Sequence, residues 1–279
     1  MARQNILPLA LAIACLPLPA AAQSDPVADT IQTWRAEEAR QGVAVDADYF
    51  YAVTNARMGK YRRDDGSRVA EWAFQRDGIE EGTGIVHLNS CAVIESELVC
   101  AHSNFPSLPM ASSVEIFDPD TLSHLRSVPL GLRAGSLTWI DRHDGKWWAG
   151  FANYDGRGGE AGRDHRYTRI VMLDDNWQEL AAYALPAGLL GKLAPHSTSG
   201  GAWGADGLLY VTGHDAAEMY QLRIPSSGSV LEWVGTLSVP IEGQAWAFDR
   251  SSPDTASTVF GIRRSTGEVV SFRLPMTTP

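Results

Sequence analysis

The chain has 279 residues and a formal net charge of −10, and 20% of its residues are charged. Nucleic-acid phosphates attract dense clusters of Lys and Arg, which an acidic chain with scattered basic residues does not offer. The composition therefore argues against a nucleic-acid partner, and the length is enough for one large domain.

The first 22 residues have the pattern of a secretory signal peptide. Arg3 precedes an apolar run over residues 6–19, which ends in three alanines that match a small-residue cleavage site. This run is shorter than the roughly 20 apolar residues of a membrane-spanning helix, and prolines interrupt it. The alternatives are an N-terminal core helix or, through Cys15, a lipid anchor. We expect cleavage near Ala22, no membrane span, and a mature domain of residues 23–279 in the periplasm or outside the cell.

The mature sequence repeats short segments of β type. Runs of β-branched, aromatic and alternating residues recur between Gly, Asp, Asn and Pro turns, whereas helical periodicity is scarce. The segments group into five units of four strands. Their inner strands are predicted to start at Val43, Ile85, Leu137, Ala202 and Ala245. This spacing is close to the roughly 40 to 50 residues of a propeller blade, with one large insertion in the third unit.

The fifth unit lacks an outer strand at its C-terminal end. A strand near residues 30–35 can supply it and so close the ring. The sequence therefore predicts an all-β fold, a five-bladed β-propeller closed by an N-terminal strand. A β-sandwich is the alternative. It does not explain why the small-aromatic pairs Ala202-Trp203 and Ala245-Trp246 recur at blade spacing.

Two cysteines of the mature chain flank a predicted hairpin turn at Glu95-Ser96. With a two-residue turn, Cys91 lies directly opposite Cys100, where the Cα atoms are close enough for a disulfide. An exported protein meets an oxidising compartment, so we expect the bond to form. The alternative is a pair of buried free thiols.

Polar side chains gather at one predicted end of the propeller. Connections between blades, and loops between the second and third strands of a blade, emerge at the same end. Five of the seven histidines belong to these segments. Convergent imidazoles, carboxylates and guanidiniums favour proton transfer near neutral pH or binding of a divalent metal.

We assign roles to these residues as hypotheses. The predicted catalytic acid and base residues are His102 and His214, with His87 facing the channel mouth. The predicted substrate-binding residues are Arg40, Gln41, Arg57, Asn104, Arg163, His165, Arg166 and Gln244. The same region can instead hold one divalent metal ion, with His102, His165, His214 and Asp215 as its ligands. For each histidine the alternative is a side chain that merely satisfies a local hydrogen bond.

Several sequence strings resemble a family of secreted bacterial propellers labelled cycloisomerase-like. They are His87-Leu88-Asn89-Ser90, residues 100–106, residues 113–118, residues 162–167 and residues 211–215. The resemblance covers nearly the whole mature chain. It implies a propeller fold with an activity related to lactone-forming enzymes.

Two fainter likenesses concern other propellers. Gln41-Gly42 is similar to the start of the first inner strand in five-bladed glutaminyl cyclases. Gluconolactonase-type propellers bind calcium through Glu, Asn and Asp, for which Glu81, Asn104, Asn153 and Asp215 are candidates.

Together these features lead to two functional hypotheses. The first is a periplasmic enzyme that acts on a small anionic substrate by lactone hydrolysis, cycloisomerisation or elimination. The second is a propeller of the cell envelope that binds a ligand or a protein without chemistry. A serine-hydrolase Gly-x-Ser-x-Gly elbow and a phosphate-binding glycine loop before a helix are both missing, which argues against those chemistries.

Overall fold

The computed structural model describes residues 28–75, 84–132, 135–156 and 161–275. In this part of the chain, twenty strands form five antiparallel four-stranded sheets. The sheets are the blades of a five-bladed β-propeller, as predicted. Residues 1–22, with the predicted signal peptide, lie outside the described residues, as does Glu81. No helix in the described ranges is long and apolar enough to cross a membrane.

The strands follow the predicted units from the inner to the outer edge of each blade. Blade 1 contains β2 (Gly42–Val45), β3 (Tyr49–Val53), β4 (Arg57–Arg62) and β5 (Arg68–Ala73). Blade 2 contains β6 (Leu88–Ile94), β7 (Glu97–Ser103), β8 (Ala111–Phe117) and β9 (His124–Leu132). Blade 3 contains β10 (Ser136–His143), β11 (Lys146–Ala152), β12 (Arg169–Leu173) and β13 (Glu179–Ala184).

Blades 4 and 5 complete the ring. Blade 4 contains β14 (Gly200–Trp203), β15 (Leu209–Thr212), β16 (Glu218–Arg223) and β17 (Glu232–Ser238). Blade 5 contains β18 (Ala247–Phe248), β19 (Thr258–Arg263), β20 (Glu268–Arg273) and, as its outer strand, β1 (Asp29–Arg35). A short helix, α1 (Ala187–Leu193), lies between blades 3 and 4.

The N-terminal strand closes the ring as predicted. It pairs antiparallel with β20, from Asp29 opposite Arg273 to Arg35 opposite Glu268. Trp34 anchors this strand, because its ring packs 5.1 Å from Phe50 and 5.5 Å from Phe260 between centroids. Phe50 belongs to blade 1, so β1 also joins the last blade to the first.

Apolar side chains fill the interfaces between neighbouring blades. The described residues form five buried clusters, each shared by two adjacent blades. The indole of Trp139 shows why glycine is needed on two strands, β11 and β14. A Cβ atom at Gly150 would lie 2.2 Å from the Trp139 ring, and one at Gly201 would lie 2.4 Å from it. Glycine at these positions lets blades 3 and 4 pack tightly around the indole.

The predicted disulfide is present. Cys91 lies opposite Cys100 in the register of β6 and β7, and the two Cα atoms are 4.0 Å apart. The intervening turn has positive φ at Glu95 (50°) and Ser96 (67°), which is the backbone of a two-residue type I′ hairpin.

Several details differ from the predicted elements, among them the inner strand of blade 5, which begins at Ala247 and not at Ala245. The inner strand of blade 2 begins at Leu88, not Ile85, because the hairpin with β7 extends back only to the pair Leu88 and His102. His87 therefore precedes the strand. The sequence also gave no indication of α1, whose Gly188 and Gly191 lower its helix propensity while Leu189 and Leu193 are buried.

Candidate functional site

Most predicted site residues lie at one end of the propeller. We call this end the histidine mouth: it carries the connections between blades and the loops between the second and third strands. The opposite mouth carries the hairpin turns between the inner two strands of each blade. Because the strands of each blade are antiparallel, the two sets of loops emerge at opposite ends.

A hydrogen-bonded cluster at the histidine mouth is centred on Asp215, in the loop after β15. Its carboxylate accepts a hydrogen bond from Nδ1 of His214 at 2.7 Å, and Nδ1 of His196 lies 3.3 Å from its second oxygen. The two imidazole rings stack with their centroids 4.1 Å apart. Arg264, from the loop between β19 and β20, donates to Asp215 at 3.0 Å and approaches Nε2 of His214 to 3.4 Å.

These contacts shift the pKa values of His214 and Asp215. Burial lowers the pKa of His214 below its usual value, and the positive Arg264 and neighbouring His196 add to this, although Asp215 opposes it. The pKa of Asp215 is also lowered, since hydrogen bonding to His214 and the nearby basic groups outweigh its burial. At neutral pH His214 is therefore uncharged. It holds its proton on Nδ1 toward Asp215 and presents the lone pair of Nε2 toward Arg264.

Two predicted substrate-binding residues contact this cluster. The side chain of Gln244 donates to the backbone oxygen of His214 at 3.1 Å. Arg40 donates to the backbone oxygen of Arg264 at 2.6 Å. Loops from four different places in the sequence thus meet around the pair of His214 and Asp215.

Sequence reasoning missed two members of the cluster. Neither His196 nor Arg264 has a role in the site predicted from the sequence. The available signal was topological. Both residues belong to loops that emerge at the histidine mouth, His196 before blade 4 and Arg264 in blade 5.

A row of aromatic rings links the cluster to His87. Consecutive ring centroids are 4.9 Å apart from His87 to Phe105, 5.4 Å from Phe105 to Tyr154, and 6.5 Å from Tyr154 to His196. Burial lowers the pKa of His87 to about 4, so its imidazole is neutral in ordinary conditions. Burial also raises the pKa of Tyr154, which keeps its phenol protonated.

The insertion of blade 3 forms a separate group beside this row. Nδ1 of His165 lies 2.7 Å from Asp155, and the guanidinium of Arg166 binds both carboxylate oxygens of Asp164. Arg163 packs over the ring of Tyr167 at 5.7 Å. The predicted trio of Arg163, His165 and Arg166 is therefore together, but its charges are largely engaged within the insertion.

His102 lies inside blade 2, close enough to His87 that the two imidazoles interact electrostatically. Its side chain is buried, and both ring nitrogens are used: Nε2 accepts from the backbone N–H of Val86 at 3.1 Å, and Nδ1 bonds to Ser113 at 2.8 Å. Ser113 in turn donates to the buried carboxylate of Glu115 at 2.5 Å. Burial lowers the pKa of His102. This arrangement holds a neutral imidazole within the blade.

The remaining predicted residues have local contacts. Gln41 donates to Asn55 at 2.6 Å, and Arg57 is exposed at the start of β4. Asn104 bonds within its own loop, to the backbone of Pro109 and Ala111. Asn153 is buried at the end of β11.

The four predicted metal ligands do not form one cluster in the described ranges. Two groups there bring three candidate ligand atoms together: His196 with His214 and Asp215, and Asp155 with Asp164 and His165. Each group already contains an arginine that binds its carboxylate, Arg264 in the first and Arg166 in the second. A cation would have to displace these guanidiniums, because a positive charge already occupies each of the two groups.

The opposite mouth opens into a cavity of about 1070 Å³. Its floor holds a buried ion pair in which Arg250 donates to both oxygens of Asp141, at 2.6 and 2.7 Å. Asp141 also accepts the backbone N–H of Trp203 at 2.8 Å. On one side, His143 stacks on Trp203 with 4.3 Å between the ring centroids. Sequence reasoning gave His143 no role.

Comparison with known proteins leaves the family open. No family model matches the chain, and no curated protein matches it. The fold search finds similarity to a crystal structure of a protein of unknown function from Bacteroides caccae, with 10% sequence identity and a TM-score of 0.41. The match covers 80% of this chain and 71% of that chain.

Proposed function

We propose that this protein is a periplasmic enzyme that performs acid–base chemistry on a small anionic molecule at the histidine mouth. The observation that carries the proposal is the pair of His214 and Asp215 with Arg264 in contact with both. A neutral imidazole, oriented by a carboxylate and placed beside a guanidinium, is the arrangement that removes a proton next to a bound anion. The disulfide and the leader-like N-terminus support the periplasmic location.

The proposed roles follow from the contacts. Nε2 of His214 is the base, and Asp215 holds the ring and stabilises the imidazolium that forms. Arg264 attracts the substrate carboxylate. Arg40 stabilises the loop of Arg264 through its hydrogen bond to the backbone oxygen of Arg264. His196 contacts the carboxylate of Asp215, with its Nδ1 3.3 Å from the second oxygen. The pKa values of His214 and Asp215 are both shifted, as is common for catalytic groups.

One chemical step is common to the proposed reactions. In lactone hydrolysis, Nε2 of His214 takes a proton from water while the water oxygen bonds to the lactone carbonyl carbon. The ring C–O bond then breaks, and its oxygen receives the proton from the imidazolium. In elimination, the same nitrogen takes the proton from the carbon next to the carboxylate, the C=C bond forms as the C–O bond to the neighbouring carbon breaks, and the leaving oxygen receives the proton from the imidazolium. Cycloisomerisation is the reverse addition: a carboxylate oxygen bonds to one alkene carbon while the imidazolium gives its proton to the other.

The test is a turnover screen with carboxylate-bearing γ- and δ-lactones and their open hydroxy acids. With an accepted substrate, we expect His214→Asn to lower kcat/KM roughly 100- to 10,000-fold, the usual contribution of a general base. Arg264→Ala should mainly raise KM. His124→Gln is the matched control, because His124 lies on the outer strand of blade 2 and glutamine can keep its hydrogen bond to Glu115.

Two results would contradict the enzyme proposal. Unchanged turnover in His214→Asn removes the proposed base. Binding of the carboxylates by calorimetry without any turnover, lost in Arg264→Ala, would instead support the alternative of a non-catalytic binding propeller that uses the same mouth.

A further inference from the structure

The cavity at the opposite mouth has the size of a ligand site. Its volume of about 1070 Å³ matches the upper end of pockets that hold drug-sized ligands, roughly 300 to 1,000 Å³. It is formed by hairpin turns from blades 1 to 5, none of which belongs to the histidine mouth. A ligand here would therefore occupy a site independent of the proposed catalytic one.

Most charged groups that line this cavity are already engaged in ion pairs or hydrogen bonds within the protein. Arg250 is held by Asp141, and Nε of Arg142 lies 3.1 Å from Glu95. Asp46 accepts the hydroxyl of Tyr51 at 2.5 Å and two backbone N–H groups. An anion entering the cavity would meet the carboxylates, and a cation would meet the guanidiniums. The lining therefore favours an uncharged ligand.

The paired groups still offer hydrogen bonds to a ligand. The side chain of Arg250 is 38% exposed, and its Nε–H has no partner among the described residues. Asp144 extends its carboxylate into solvent at the rim, with 89% of its side chain exposed. The lining thus offers both a donor and an acceptor to a ligand. Hydroxyl groups, which both donate and accept, match this pair of groups.

The imidazole ring of His143 forms part of the cavity wall. His143 stacks on Trp203 with an angle of 7° between the planes, and Trp148 packs against the edge of Trp203. The imidazole is held rigidly by this stack while 27% of its side chain remains exposed. A rigid ring face of this kind packs against the C–H face of a second ring at little entropic cost.

From these features we propose that the cavity at the opposite mouth binds an uncharged polyhydroxylated ring compound, a saccharide in chemical class. The ring packs on His143, and its hydroxyls bond to Arg250 and Asp144. The ion pair of Arg250 and Asp141 forms the rigid floor of the site.

The test is titration of the purified protein with maltotriose, cellotriose and tri-N-acetylchitotriose, followed by calorimetry and tryptophan fluorescence. We expect saturable binding of at least one of them at about 10 mM, a concentration that nearly fills a site with a Kd of about 1 mM. Ala205→Trp places an indole at an exposed alanine in the lining and should weaken that binding at least about tenfold. His143→Ala should weaken it by a similar factor.

Control variants separate this site from the proposed catalytic one. Ala73→Trp adds the same bulk to an exposed position on β5 and should leave the affinity unchanged. His214→Asn should also leave it unchanged, whatever its effect on turnover. No saturation by any of the three saccharides overturns the proposal. So does binding that survives Ala205→Trp, or tight binding of citrate or spermidine in their place.

Discussion

The buried ion pair below the opposite mouth makes a quantitative prediction about stability. Asp141 has no exposed surface, and it accepts two charge-assisted hydrogen bonds from Arg250 and one from the backbone of Trp203. Arg250→Met removes the first two and leaves a carboxylate in the channel with a single donor. Such an unpaired buried charge costs about 3 to 5 kcal/mol. Because Arg250 is partly exposed and solvent can replace some of its contacts, we expect the lower end, about 3 kcal/mol.

A double-mutant cycle isolates the interaction. Asp141→Asn keeps an oxygen for the Trp203 N–H and leaves Arg250 close to solvent, so it should cost less, about 1 to 2 kcal/mol. The double variant contains no buried charge, and the coupling energy between the two positions should be about 2 kcal/mol. Urea unfolding followed by tryptophan fluorescence and circular dichroism measures each value, provided that the m-values agree among the variants. Two results would refute the proposed role of the ion pair. One is a decrease of less than about 0.5 kcal/mol in the free energy of unfolding of Arg250→Met. The other is a double variant whose loss equals the sum of the losses in the two single variants.

Three further predictions concern the disulfide, the closing strand and the proposed base. Replacing Cys91 and Cys100 together by Ala should lower the free energy of unfolding by about 2 to 3 kcal/mol. The value is small because the two cysteines are only nine positions apart and the disulfide closes a short loop. Chemical denaturation of the wild type and the variant, in oxidising and in reducing buffer, measures the difference. Trp34→Ala should cost about 3 to 5 kcal/mol and expose β1 to protease, since the indole links the last blade to the first; limited proteolysis that spares β1 would contradict it. For an accepted substrate, kcat/KM should be constant at neutral pH and fall on acidification with a midpoint below 6.5, because burial lowers the pKa of His214 and only the neutral ring is a base. Asp215→Asn should move that midpoint still lower, since Asp215 raises the pKa; an upward shift would refute the proposed pairing.

The blades were predictable because their determinants are local. Alternating apolar residues and the turn at Glu95-Ser96 set the strands and the register of blade 2, and the register placed Cys91 opposite Cys100. The need for a fourth strand in the last blade pointed to β1. Local signals were weak in two places. The glycine-containing helix α1 was not predicted, and the start of the two-residue strand β18 was misplaced.

The sites were less predictable because they join loops from different blades. His214 and Asp215 are adjacent in sequence and were found, but Arg264 lies 49 residues beyond Asp215 and reaches it only through the ring geometry. The floor of the opposite cavity joins residues 109 positions apart. The alternation of apolar residues placed His102 on a strand. It could not show that both ring nitrogens of His102 form hydrogen bonds, one with Val86 and one with Ser113.

The pairing of β1 with β20 also constrains how the molecule assembles. The first described strand finds its partner only in the last one, so every blade must be synthesised before the circle can lock. Until then Trp34 lacks its stacking contact with Phe260, which belongs to the last blade. Contacts between the extreme ends of a sequence form slowly. Closure of the ring is therefore the step of folding that depends on the longest-range strand pairing among the described residues.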